Sequence, residues 1–287
     1  MIAYVLLSTL IAADEPSPLL GKINTWDAWP FDAGHGAIEL GWSRSMAHRW
    51  RDADGTTHDR DGTLVDDDVT LQAYLGLADS LDLRLKGGWR RIDDQGAFLD
   101  TDGTPLLDDL GDVMRYQNAG RGADDVEIRV AWQIWRDDDW GLAVALLPAT
   151  SLRTGNDATD TEPGTSPGAA WAELAAAVSW TVGPLSVAVD GAGRGWWGAH
   201  REGLPPLWYQ DIALGWQVDD IFQPEIELNL AWSPAGDDIP SSATVATTVG
   251  VMANLDPWYV SVGMQIPLGG RSTDDRSMVS GLVTYAW

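Results

Sequence analysis

An all-β transmembrane barrel is what this sequence predicts: an antiparallel up-and-down ring of about twelve strands with short periplasmic turns and long acidic external loops. Three observations lead there. Segments of roughly ten residues alternate apolar and polar side chains with period two, the signature of a strand whose successive side chains point to opposite faces. The connections between them are long and short in turn. Tryptophan is used 17 times against three phenylalanines, and it recurs at segment ends. Residues 172–190, AELAAAVSWTVGPLSVAVD, show the pattern best. Leu174, Ala176, Val178, Trp180 and Val182 share one face, Leu185, Val187 and Val189 continue it beyond Gly183-Pro184, and the opposite face is small or polar. Lipid outside and small or polar groups inside is the distribution a barrel wall requires.

The other segments follow in order. Within residues 34–50, Ile38, Leu40 and Trp42 oppose Glu39, Gly41 and Ser43, and residues 51–68 read as a polar loop. Residues 69–77 put Val69, Leu71, Ala73, Leu75 and Leu77 on one face. After a turn at 78–80, Leu81, Leu83, Leu85 and Trp89 oppose Asp82, Arg84, Lys86 and Arg90. A one-residue slip there puts Arg84 and Lys86 into lipid at about 2–4 kcal/mol each, so the register is well specified. Residues 92–125 read as the longest loop. Val126, Ile128, Val130, Trp132 and Ile134 then oppose Glu127, Arg129 and Gln133, and residues 137–139 turn the chain into Trp140, Leu142, Val144 and Leu146.

Beyond the 172–190 hairpin, residues 191–198, GAGRGWWG, read as the start of a flexible external loop. No helical pattern follows these glycines, which excludes a dinucleotide fingerprint. Ile212, Leu214, Trp216 and Val218 oppose Asp211, Ala213, Gly215 and Gln217; Ile226, Leu228, Leu230 and Trp232 oppose Glu225, Glu227 and Asn229. A Thr- and Val-rich strand ends near Ala253. Trp258, Val260, Val262, Met264 and Ile266 follow, then a loop at 269–275 and a last strand to Trp287.

The tryptophans are expected in two interfacial girdles, where an amphipathic indole is half apolar and half wet. Trp132, Trp135, Trp140, Trp180, Trp216, Trp258 and Trp287 fall by short turns. Trp50, Trp89, Trp171, Trp196, Trp197, Trp208 and Trp232 fall by long loops.

Composition bounds the function. The 287 residues carry a net charge of -25, which excludes nucleic-acid binding by phosphate neutralisation. The absence of cysteine excludes disulfides, thiolate metal sites and cysteine catalysis. Residues 1–13, MIAYVLLSTLIAA, have the length and apolarity of a signal-peptide core. The expected organisation is a signal peptide at 1–13, an N-terminal periplasmic segment at 14–33 and an outer-membrane β-barrel at 34–287. The four histidines show no metal-ligand spacing. Asp59-Arg60-Asp61-Gly62 and Asp100-Thr101-Asp102-Gly103 lack the spaced Glu of a calcium loop and read as solvated loops.

Several stretches resemble known proteins. The ending Gly281-Leu282-Val283-Thr284-Tyr285-Ala286-Trp287 is similar to the C-terminal insertion signal of outer-membrane barrels, which implies recognition by the barrel-assembly machinery through Tyr285 and Trp287. LPATSLRTGND at 147–157, GADDVEIRVAWQIW at 122–135 and residues 224–229 resemble strands of the outer-membrane family labelled meta-pathway of phenol degradation, with Ala149 in place of that family's usual Thr. The resemblance implies an outer-membrane channel or diffusion transporter for small molecules, aromatic or hydrophobic ones among them.

The expected function is accordingly passive transport across the bacterial outer membrane, without enzymatic activity, cofactor or metal. The partners are membrane lipid and a small solute. The lumen-facing candidates are Arg84, Lys86, Arg90 and Arg129 on one side and Asp211, Glu225 and Glu227 nearly opposite, a basic wall facing an acidic one. The alternatives are a membrane-embedded esterase or phospholipase-type hydrolase, with Ser45 and His48 as its candidate pair, and a structural or adhesive barrel without transport.

Overall fold

The computed structural model describes residues 27–97, 108, 110, 112–155, 164, 165, 169–197, 204–236 and 240–287. Thirteen strands fill it: β1 (Gly36–Arg51), β2 (Thr57–Ala78), β3 (Leu81–Ala97), β4 (Arg115–Ala123), β5 (Val126–Asp137), β6 (Leu142–Leu152), β7 (Ala170–Val182), β8 (Leu185–Trp197), β9 (Leu207–Trp216), β10 (Phe222–Ser233), β11 (Ser242–Leu255), β12 (Trp258–Arg271) and β13 (Thr273–Ala286). Each pairs antiparallel with its neighbours, and β1 pairs with both β2 and β13, so the sheet closes. β4 and β5 share one place in the ring, because both pair with β3, at 89–97 and 81–86 respectively. The wall is therefore twelve strands round, as the alternation predicts.

The join between β4 and β5 is pinned from outside its own strand. Asp125 Oδ1 accepts hydrogen bonds from the backbone of Thr154 and Gly155, both at 3.0 Å, while Thr154 Oγ1 donates to the Asp124 carbonyl and accepts from the Val126 amide. Two of the three sequence stretches of the family resemblance, residues 122–135 and 147–157, thus meet at one break in the wall.

Polarity is inverted relative to a water-soluble core. Outward Leu40, Leu71, Leu174 and Val262 are more than half exposed, whereas inward Ala37, Ala175, Ala177 and Ala188 are fully buried. An apolar exterior around a closed, fully hydrogen-bonded sheet is what a bilayer demands of strands. No helix among the described residues is long and apolar enough to cross a membrane. In the 172–190 hairpin, Val182 pairs with Leu185, and Gly183 takes φ 55°. A two-residue turn of this hand needs positive φ at its first central position, and Pro184 suits the second.

Four segments expected as loops are largely strand. Residues 57–68 belong to β2, 92–97 and 115–123 to β3 and β4, 191–197 to β8, and Ser272 alone joins β12 to β13. The strict alternation of long and short connections is lost with them. These polar extensions need no apolar face, and charges tie them across strands: Arg60 binds Asp94 at 2.6 Å and Asp274 at 2.5 Å. Residues 59–62 are thus part of a strand, and residues 100–103 lie outside the described residues, as do the expected signal peptide and residues 14–26. In β8, a Cβ on Gly193 would come within 2.6 Å of the Trp208 ring, so the bare glycine lets that ring lie across the wall.

Residues 27–33 enter the end of the barrel that carries the short turns. The Ala28 amide donates to Ser179 Oγ at 2.9 Å, its carbonyl accepts from Gln133 Nε2 at 3.0 Å, and the Phe31 amide donates to Asp82 Oδ2 at 3.3 Å. Ala28 is fully buried against Ala131, Ala143, Ala145, Ala175 and Ala177, with Trp29 packed beside them. Small inward side chains on β5, β6 and β7 make this room. Gly76 makes more of it: a Cβ there would stand 1.9 Å from the Asp32 carbonyl.

Candidate functional site

The lumen is the only interior that such a wall encloses, so its side chains are the candidate site. Period-two alternation on β3 sends Asp82, Arg84, Lys86 and Arg90 inward together, and the antiparallel register sets Arg84 beside Arg129 and Lys86 beside Glu127. Two adjacent arginines in a buried wall require carboxylates, because an unpaired buried charge is costly. Arg84 makes a two-pronged contact with Asp82, at 2.9 and 3.1 Å. Arg129, 2% exposed, binds Glu127 at 2.8 Å and Glu173 at 2.7 Å. Glu173 is the hub of this region. Its other oxygen accepts from Arg194 at 2.7 and 2.9 Å, and Tyr209 hydrogen-bonds it as well. The Arg194 guanidinium lies 3.9 Å from the centre of the Trp171 ring.

Trp171 and Trp196 pair across β7 and β8. Trp171 is 6% exposed and alternates in phase with buried Glu173, and Trp196 shares the phase of Asp190 and Arg194. Both were expected in the girdle beside the long loops, and both turn into the barrel instead. Of the other tryptophans, Trp89, Trp132, Trp140, Trp197, Trp208, Trp216, Trp232, Trp258 and Trp287 are exposed on the outer side or rim.

The remaining candidates divide by environment. Arg90 makes a second two-pronged contact, with Asp66 at 2.6 and 2.9 Å. Across the barrel, Asn229 donates to Asp211 at 2.9 Å and to Glu227 at 3.5 Å, and Gln223 donates to Glu225 at 3.5 Å. Asn229 in turn accepts from Thr248 and Gln265. The expected basic wall is therefore not purely basic. Asp82, Glu127, Glu173 and Asp66 are interleaved with its arginines, and this follows from the same alternation that brings the arginines inward. Above the Asp211 cluster lies a cavity of about 620 Å³, bounded by Tyr209, Asp211, Asn229, Gln265, Asp274 and Arg276 among others.

The candidate hydrolytic pair does not come together. His48 is exposed and its Nδ1 meets Thr63 Oγ1 at 3.3 Å, whereas Ser45 shares the inward phase of buried Ala47. Among the described residues no cluster of His, Cys, Asp and Glu is arranged to hold a metal ion. Away from the wall, Asp52, in the connection between β1 and β2, is held below the usual carboxylate range by its hydrogen bond to His58, at 2.9 Å, helped by the Thr56 and Asp54 amides.

No family model and no curated protein matches the sequence. Solved structures do. The COG4313 outer membrane channel from Pseudomonas putida F1 is similar with a TM-score of 0.71, at 12% identity over 93% of this chain and 100% of that one. The NanC porin has a TM-score of 0.52, at 10% identity over 88% of this chain and 98% of that one. The transport unit of the autotransporter AIDA-I from Escherichia coli has a TM-score of 0.51, at 13% identity over 99% and 97% respectively. At these identities the likeness lies in the fold, and the fold is that of an outer-membrane β-barrel.

Proposed function

We propose that this chain is a bacterial outer-membrane channel, a diffusion transporter for small molecules, aromatic or hydrophobic ones among them. The observation that carries the reading is the lumen: charged side chains and Tyr209 facing a cavity of about 620 Å³ inside a wall that is apolar on its other side. A purely structural barrel has no need of such an interior. In this reading Arg84, Lys86, Arg90, Arg129, Asp211, Glu225 and Glu227 are the solute-facing residues. Trp171, Trp196 and Tyr209 around Arg194 add flat surfaces for a planar solute. Because the arginines carry their own carboxylates while Asp211 is bonded by an amide, the lumen is net acidic and favours cations.

The same reading places the short turns in the periplasm, following the habit of bacterial barrels, and makes the outward tryptophans its interfacial girdles. Residues 1–13 serve as the signal peptide. Tyr285 and Trp287, exposed at the rim with ring centres 6.3 Å apart, present the contact for the assembly machinery. The resemblance to the meta-pathway of phenol degradation family points to aromatic compounds as the solute class. Planar-bilayer recording of the purified full chain tests the proposal, with liposome swelling in small aromatic acids and sugars beside it. Cation-preferring conductance is expected; the absence of both conductance and swelling would refute the channel.

A further inference from the structure

A different surface of the barrel carries a second ligand chemistry. On the outer face, Arg44 of β1 pairs with Asp67 of β2, Asp67 with Arg91 of β3, and Arg91 with Arg121 of β4. One row perpendicular to the strands thus presents three arginines and one aspartate over four neighbouring strands, about 14 Å wide at the usual strand spacing. The row immediately towards the short turns is Trp42, Val69, Trp89 and Ala123, with both tryptophans and Val69 exposed. The arginines therefore stand one step beyond the tryptophans towards the longer connections, followed by a mixed row of Met46, Val65, Asp93 and Ala119.

The setting of Arg44 and Arg91 differs from that of the luminal arginines. Inside, Arg84, Arg90 and Arg129 hold carboxylates at 2.6–2.9 Å. Outside, the carboxylates of Asp67 and Asp93 approach Arg44 and Arg91 only to 3.6 and 3.8 Å, and these two arginine side chains are 48% and 61% exposed. In a chain of net charge -25 with 18 Lys and Arg, three arginines in one outward row run against the general trend. With the short turns in the periplasm, this row meets the headgroup layer of the outer leaflet. Guanidinium groups there bind phosphate through paired N–H donors.

We propose that Arg44, Arg91 and Arg121 form a docking row for the phosphate groups of outer-leaflet glycolipid. Binding at this row fixes the barrel's height in the membrane at one side of the wall and recruits an anionic lipid to a protein that is otherwise strongly acidic.

The test uses the full folded chain in detergent, with native mass spectrometry of bound diphosphorylated lipid A and of the same lipid stripped of both phosphates. The wild type should bind the phosphorylated form about tenfold more tightly. A triple variant, Arg44→Gln with Arg91→Gln and Arg121→Gln, should lose that preference while keeping the heat-modifiable gel migration of a folded barrel. Should the triple variant fail to fold, each single variant is measured alone, and each should weaken the preference. Equal binding of the two lipids by wild type, or an undiminished preference in the folded variants, would overturn the proposal. So would displacement of the lipid by millimolar inorganic phosphate, which would make the row a site for the free anion.

Discussion

The two ends of the lumen solve the problem of an interior differently. At the short-turn end, β5, β6 and β7 present alanines, and residues 27–33 fill the space by backbone hydrogen bonds and close packing. Farther along, β3, β5, β7 and β8 present arginines and carboxylates that fill space by pairing with one another. The first arrangement is made of a separate segment that rests on the wall, held largely through its main chain and meeting the charged lining where the Phe31 amide donates to Asp82. The second is the wall, and cannot be altered without stranding a buried ion. The comparison teaches that the segment at the mouth and the charged lining farther along are held by different kinds of interaction.

The largest effect should come from breaking the fixed part. Glu173→Ala leaves Arg129 and Arg194 short of a carboxylate, and should destabilise the barrel by about 3 kcal/mol in urea unfolding from lipid vesicles. At the other end, Gly76→Val sets side-chain atoms against the Asp32 carbonyl and should expel residues 31–32 from the mouth. Single-channel conductance should rise severalfold with unchanged urea stability; an unchanged conductance would mean that the segment is no obstruction. Asp211→Asn should reduce the cation preference and leave conductance near wild type, read as a smaller reversal potential under a salt gradient. The smallest effect lies outside both regions. Removing the His58 partner in His58→Ala should let the Asp52 pKa rise towards its ordinary value, followed by the carboxyl signal in a pH titration. The depressed folded-state pKa of Asp52 contributes stability above its unfolded value, and this is lost as pH falls through the folded value. In the variant that acid-sensitive contribution should shrink, seen as slower amide exchange losses between β1 and β2 on acidification.

Much of this was legible in the sequence, and the boundary has a physical cause. Wherever a strand touches lipid, one face must be apolar, so Leu81, Leu83, Leu85 and Trp89 announce β3. The same parity places Arg84 and Arg129 inside. Beyond the bilayer that demand lapses, and residues 57–68 and 115–123 pair as strands with no apolar stripe to reveal them. Trp171 and Trp196 were assigned by their distance from loops rather than by phase. The parity of Trp171 with Glu173, two residues on, carried the correct signal. The entry of residues 27–33 had no such signal, since an irregular segment held by main-chain bonds leaves no periodicity; only the run of small inward side chains on β7 hinted at space to be filled.

The pairing of β1 with β13 has a consequence for how the ring comes into being. Gly36 and Trp287 exchange backbone hydrogen bonds at 3.1 and 3.0 Å, across 250 residues of intervening chain. Hairpins between successive strands can form as soon as both partners exist, but this seam is a contact of maximal sequence separation. The entropy of so large a closure must be met before its hydrogen bonds give any return. Until then β1 and β13 are open edges, the kind that invite pairing with a foreign strand. The final ladder is thus the pairing with the largest closure entropy to overcome.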